Sequence, residues 1–137
     1  MRTTDLHDEL EALYQALLDS SPGSVARAGQ REMLHAIGAQ LAQARFEPDQ
    51  PARVCVVEAG TGVGKTRAYL AAAITLARRA GVKVVVSTST IALQEQLEAS
   101  DLPKCRRLFR AQPELARYAD FRAAVLVGKG NYLCTTR

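Results

Sequence analysis

No apolar run in this sequence approaches the roughly 20 residues that a helix needs to cross a bilayer. Its start, MRTTDLHDELEALYQ, is rich in acid where a secretory leader would carry an apolar centre. Both absences point to a cytoplasmic protein without membrane segments. Cysteine is scarce: Cys55, Cys105 and Cys134 stand far apart with no C-x-x-C pair, which excludes a disulfide framework and a complete metal site. Reduced thiols are the expectation. Neither an internal repeat nor a low-complexity segment interrupts the chain. What is present suits one ordinary domain: 137 residues, 47% hydrophobic and 23% charged.

The net charge of +4 hides a division. Residues 1–50 carry 4 Lys/Arg against 8 Asp/Glu, and residues 51–137 carry 14 against 6. The second part therefore suits a polyanionic partner, although a basic surface also serves plain solubility.

Leu6, Leu10, Leu13 and Leu17 recur at helical spacing behind Thr4, a candidate N-cap, and SSPGS at 20–24 ends that helix. A second helix is predicted from Gln30 to Arg45, with Met33, Leu34, Ile37 and Leu41 on one face. From Val54 the pattern changes. VCVVEA, VKVVVST and AAVLVG, the last at 123–128, are short and apolar, as strands covered on both faces are. Between them run a helix marked by Tyr69, Leu70, Ala73, Ile74 and Ala77 and closed by Gly81, the helix IALQEQLEA, and another from Pro103 through Phe109. Strand and helix alternate over short connections, which predicts an α/β fold: an incomplete parallel sheet flanked by helices, preceded by N-terminal helices.

Between the first strand and its helix stands AGTGVGKT: Ala59, Gly60, Thr61, Gly62, Val63, Gly64, Lys65 and Thr66. The pattern is that of the phosphate-binding loop of P-loop NTPases, with Ala in place of its first Gly, in the strand–loop–helix setting the motif requires. Glycines let backbone N–H groups converge on phosphate oxygens where a Cβ would obstruct them, and the helix start adds its positive end. Lys65 is placed to reach the β/γ-phosphates and the Thr66 hydroxyl to hold Mg²⁺. The competing reading is a glycine-rich turn with an incidental lysine. A second carboxylate, on a later strand, is what hydrolysis in this class further uses, and none is found. Asp19 ends a run inside an amphipathic helix, Asp101 and Asp120 end no strand, and Glu58 precedes the loop. Three strands also make a poor doubly wound sheet, so the chain reads as cut short.

Several stretches together resemble the DinG/XPD family of iron–sulfur ATP-dependent DNA helicases, most nearly its bacterial DinG branch. EAGTGVGKT at 58–66 has the family's form of the loop; VVVSTSTIALQEQL at 84–97 resembles its next motif; DLP at 101–103 follows in place; GKGNYLC at 128–134 resembles the approach to the first cluster cysteine; and RAGQREM at 27–33 resembles the adenine-recognition segment. The resemblance implies a RecA-like motor domain that spends ATP on 5′–3′ movement along single-stranded or forked DNA, as a monomer, with a four-cysteine 4Fe-4S domain inserted in its first motor domain. It also implies a role in DNA repair and, in a bacterium, a place at the nucleoid.

Carried over residue by residue, Gln30 matches the glutamine that pairs with the adenine edge, with Gly29 where the family commonly has proline. A surface glutamine is the competing reading. Ser87, Thr88 and Gln94 match the segment that meets DNA phosphates, the competing reading being helix capping by Thr90 or a neighbour. Cys134 matches the first ligand of an iron–sulfur cluster, which takes four thiolates. Cys55 and Cys105 match no cluster position, so the piece is not expected to build a cluster alone. The basic run KCRRLFR at 104–110 reads either as a nucleic-acid face or as a solvated helix face. Residues 1–50 are thus expected to hold N-terminal helices with the adenine-recognition segment. Residues 51–137 are expected to hold the first part of motor domain 1, up to the iron–sulfur insertion. The piece itself is expected to bind nucleotide weakly and to turn nothing over. Two other functions stay open: another P-loop enzyme, such as a kinase or an AAA-type ATPase, and a short non-catalytic module that binds nucleotide or DNA.

Overall fold

The computed structural model describes residues 3–20, 28–43, 54–60, 62, 64–128 and 130, with side chains omitted at 3–5 and 41–43. Helix α1, Thr3–Asp19, begins one residue ahead of the expected cap, so Thr4 lies within it. It buries Leu6, Leu10, Leu13 and Leu17 on one stripe, as their spacing requires. Helix α2, Ala28–Gln43, starts earlier than expected and buries Met33 and Leu34, with Ile37 packed beside them.

Helix α3, Lys65–Ala80, is the central element, packed by α1, α2 and the C-terminal helices. Its run of Ala68 and Ala71 to Ala73 is fully or almost fully buried, because small side chains let neighbouring helices approach closely. Gly81 ends it in the left-handed region, φ 65°, with its N–H returning to the Ala77 carbonyl. Helix α4, Ile91–Gln96, runs through a π-helical turn, Leu97–Asp101, into α5, Leu102–Ala111. Pro103 sits in the first turn of α5, directly after the π turn, where it supplies no N–H to the preceding turn. A 3₁₀ turn, Ala116–Tyr118, follows. Phe109 meets Tyr118 and Phe121 edge-on at 6.0 and 6.4 Å between centroids, and Arg106 lies over the Phe121 ring at 4.4 Å.

Two polar clusters fasten α1. Glu9 accepts hydrogen bonds from Arg79 of α3, from Arg117, and from the Tyr118 hydroxyl at 3.0 Å. Glu11 accepts from Arg31 of α2 at 3.0 Å and lies against the His35 ring.

The expected parallel sheet is not formed among the described residues, which contain no strand. Residues 54–60, 82–88 and 120–128 are irregular and make no ladder with one another. Nor are they covered: Val56 is 90% exposed, Val85 89% and Leu126 82%. The reading of VCVVEA, VKVVVST and AAVLVG as buried strands is therefore corrected here. Sequence pattern reports what a segment would bury, but a strand exists only where neighbours accept its N–H and C=O groups. The core that does form is the helical layer on one side of these segments.

Candidate nucleotide-binding site

The loop leads directly into α3. Gly62 and Gly64 hold φ of 79° and 84°, in the left-handed region where a side chain is strained. The chain thereby turns sharply enough for α3 to start at Lys65. Gly64 at the cap position has no side chain to cap that start, so among the described residues the first N–H groups of α3 are left for an anion, at the positive end of a helix 16 residues long. The Lys65 ammonium folds back over the loop, donating to the Ala59 carbonyl and, at 2.9 Å, to the Gly60 carbonyl. An ammonium, uncapped amides and a Cβ-free turn converge on one spot, and this donor set fits a phosphate chain. Thr66 follows in the first turn of α3, half-buried. Thr61 and Val63 lie outside the described residues.

Gln30 is not on the surface. It is only 6% exposed, and its Nε2 donates to the Gly64 carbonyl at 3.2 Å. That carbonyl also accepts the Ala68 N–H of α3 at 3.3 Å, so Gln30 braces the hinge between loop and helix. Its amide nitrogen carries a second N–H, so this bond leaves one donor and the Oε1 acceptor for another partner. Beside it an open cleft of about 520 Å³ runs between the Gly29, Glu32, Met33 and Ala36 face of α2 and residues 56–60. Its size falls within the roughly 300–1,000 Å³ of ligand sites. Sequence reasoning missed Glu32 as a cleft residue. The signal was the spacing 29, 32, 33, 36, which puts these residues on one helical face beside Gln30.

The segment expected to meet DNA is separate from the loop in sequence and mostly engaged with itself. Ser87 is exposed. The Thr88 hydroxyl donates to the Thr90 carbonyl at 3.0 Å, and Thr90 caps α4 by accepting from the Leu93 N–H at 3.3 Å. Capping by Thr90, named in the competing reading of this stretch, is present here. Gln94 is half-buried, its Oε1 enclosed without a hydrogen-bond partner among the described residues.

Among the described residues, Cys55 and Cys105 are free thiols. Cys55 is exposed, Cys105 is buried, and Cys134 lies outside the described residues. Burial pushes the Cys105 thiol up to about 12, assisted by the nearby Asp101 carboxylate, so it stays protonated and makes a poor metal ligand. No group of three or more His, Cys, Asp or Glu is placed to hold a metal among the described residues. An iron–sulfur cluster is therefore not shown by the described residues, which do not include Cys134. In the basic run, Arg106 turns inward to donate to the Phe121 carbonyl at 3.0 Å, while Lys104, Arg107 and Arg110 are exposed. Among the described residues no helix is long and apolar enough to cross a membrane.

Comparison with known proteins identifies the family. Residues 30–111 match the DEAD/DEAH box helicase family. The chain is 36% identical over 132 residues, 96% of its length, to the ATP-dependent DNA helicases DinG of Salmonella choleraesuis and of Escherichia coli K12. It is 40% identical over 121 residues, 88% of its length, to the E. coli ATP-dependent DNA helicase YoaA. In each case it spans about 16% of the relative's length. No solved structure matches it.

Proposed function

Because the chain belongs to the DEAD/DEAH box helicase family, we propose that it is the nucleotide-gripping first part of a DinG-type ATP-dependent DNA helicase. The family's domain is a P-loop NTPase fold. In this reading residues 1–50 carry the adenine-recognition segment and residues 51–137 open motor domain 1. The intact enzyme couples ATP hydrolysis to 5′–3′ movement on single-stranded DNA. The nucleotide enters as its magnesium complex. The amides at Gly60, Gly62 and Gly64 and at the start of α3 wrap the phosphates. Lys65 releases the Ala59 and Gly60 carbonyls to neutralise the β/γ oxygens, and Thr66 offers its hydroxyl to the metal. Gln30 offers its second N–H and its Oε1 to the adenine edge while its bond to the Gly64 carbonyl braces the hinge.

Ser87, Thr88 and Gln94, around the start of α4, take the DNA backbone. Cys134 belongs to a cluster of the intact protein, whose other ligands this chain does not supply. The 137 residues alone bind nucleotide weakly and do not turn it over. The intact enzyme works as a monomer on single-stranded or forked DNA.

The observation that carries this reading is the uncapped start of α3 under the folded-back Lys65 ammonium. It is tested on the full-length product by ATP hydrolysis with and without single-stranded DNA. Stimulation by DNA that Lys65→Ala abolishes supports a helicase motor. Turnover indifferent to DNA would instead mark another P-loop enzyme.

A further inference from the structure

The DLP stretch at 101–103 has no part in the account so far, and its aspartate is conspicuous. Asp101 is a carboxylate only 5% exposed on an otherwise apolar stripe. Leu93, Leu97, Asp101 and Cys105 follow one another in steps of four. A regular α-helix would rotate such a stripe by about 40° per step, or roughly 120° over three steps, and carry Leu93 away from the core. The π turn at Leu97–Asp101 takes up that excess. Its wider spacing is visible in the Leu102 N–H, which donates to the Leu97 carbonyl five residues back. The side chains repeat the same five-residue step: Gln96 Nε2 donates to Asp101 Oδ2 at 3.1 Å.

Below the turn α5 is anchored by Cys105, Leu108 and Phe109, whereas above it α4 buries no residue at all. The direction of α4, with Ser87, Thr88 and the Thr90 cap at its start, is therefore set by the turn together with the partial packing of Leu93 against the core.

From this we infer that Asp101, held by Gln96, is a positioning residue: it locks the π turn that aims the 87–94 segment at its ligand. The inference rests on the reading of that segment as a contact for single-stranded DNA. Relaxing the turn to α-helix rotates α4 against the fixed α5 and carries Thr88 and Gln94 off their present bearing.

The test uses the 137-residue chain with Asp101→Ala, Asp101→Asn and Gln96→Ala. Three quantities are read: amide hydrogen exchange across 91–111, affinity for a fluorescent oligo(dT), and affinity for Mg-ATP. With either alanine, exchange in 91–96 accelerates about tenfold and oligo(dT) binding weakens about tenfold, the order expected for one hydrogen bond to a charged group. Exchange in α3 and affinity for Mg-ATP stay within about twofold, since the loop is untouched. Asp101→Asn keeps an acceptor for Gln96 and restores both properties. Unchanged exchange in 91–96 in both alanine variants overturns the inference, as does acceleration spread equally over α3 and α5. Should Asp101→Ala fail to fold, Gln96→Ala, at an exposed position, decides alone. If the unaltered chain has no affinity for oligo(dT), the DNA reading of 87–94 falls, and the exchange data still decide whether Asp101 sets α4.

Discussion

Gly64 is where two constraints meet on one residue. Its φ of 84° is hostile to any L side chain, and a methyl group built on it would stand 2.5 Å from Gln30 Nε2. Gly64→Ala is therefore expected to cost about 1–2 kcal/mol in backbone strain and also to expel Gln30 from its seat. The measurable outcome is an affinity for Mg-ATP lowered at least tenfold while the helical circular dichroism persists. The double variant with Gln30→Ala relieves the collision but not the strain, and recovers only part of the loss. Full affinity in Gly64→Ala would show that the turn at this hinge is incidental to binding. Thr66 and Lys65 are different in kind: their backbone belongs to a regular helix, and only their side-chain chemistry is at stake.

At the level of elements, the helices were legible in sequence because each carries its own evidence. The leucine spacing of α1, the Gly81 stop of α3 and Pro103 at the start of α5 are local signals, and the structure follows them. The π turn was not legible. Steps of four are compatible with a helix of either pitch, and only burial of Asp101 beside Leu97 reveals which one forms. The strands failed for the opposite reason: apolar pattern is local but pairing is not, and no partner lies among the described residues.

The site divided along the same line. The phosphate loop, contiguous in sequence, was read directly, whereas the inward turn of Gln30 depends on a residue 34 positions away. The α1–α2 contact yields a prediction of its own. The hydrogen bond from Arg31 holds the Glu11 carboxyl below its ordinary range, and the bond with His35 adds to this. A carboxyl lowered in the folded state contributes its stability fully above the unfolded carboxylate range and loses it as pH falls through the lowered value. Glu11→Gln should therefore lower the urea midpoint at pH 6, and the gap to the unaltered chain should narrow as acid takes the pH through the lowered carboxyl value. A gap that does not narrow with acid would remove the Glu11 pair from the account.

Across the whole molecule, acid and base are divided between the two parts of the chain, and the phosphate loop lies in the basic part. The helical layer behind that loop is well packed, with Leu13, Leu34, Phe109 and Leu115 at 0% exposure. The valines of 54–57 and 84–86 are left bare. The helical layer thus holds α3 and its loop, while the valine-rich segments are unpaired among the described residues, and grip on a nucleotide is the property to test first. The most direct test follows the backbone amides of the ¹⁵N-labelled 137-residue chain during titration with Mg-ATP. The account predicts that the largest shifts fall on Gly60, Gly62, Gly64, Lys65 and Thr66, and that Lys65→Ala abolishes them. Absence of any shift at these five amides, or a response confined to residues outside the loop and α3, would contradict it.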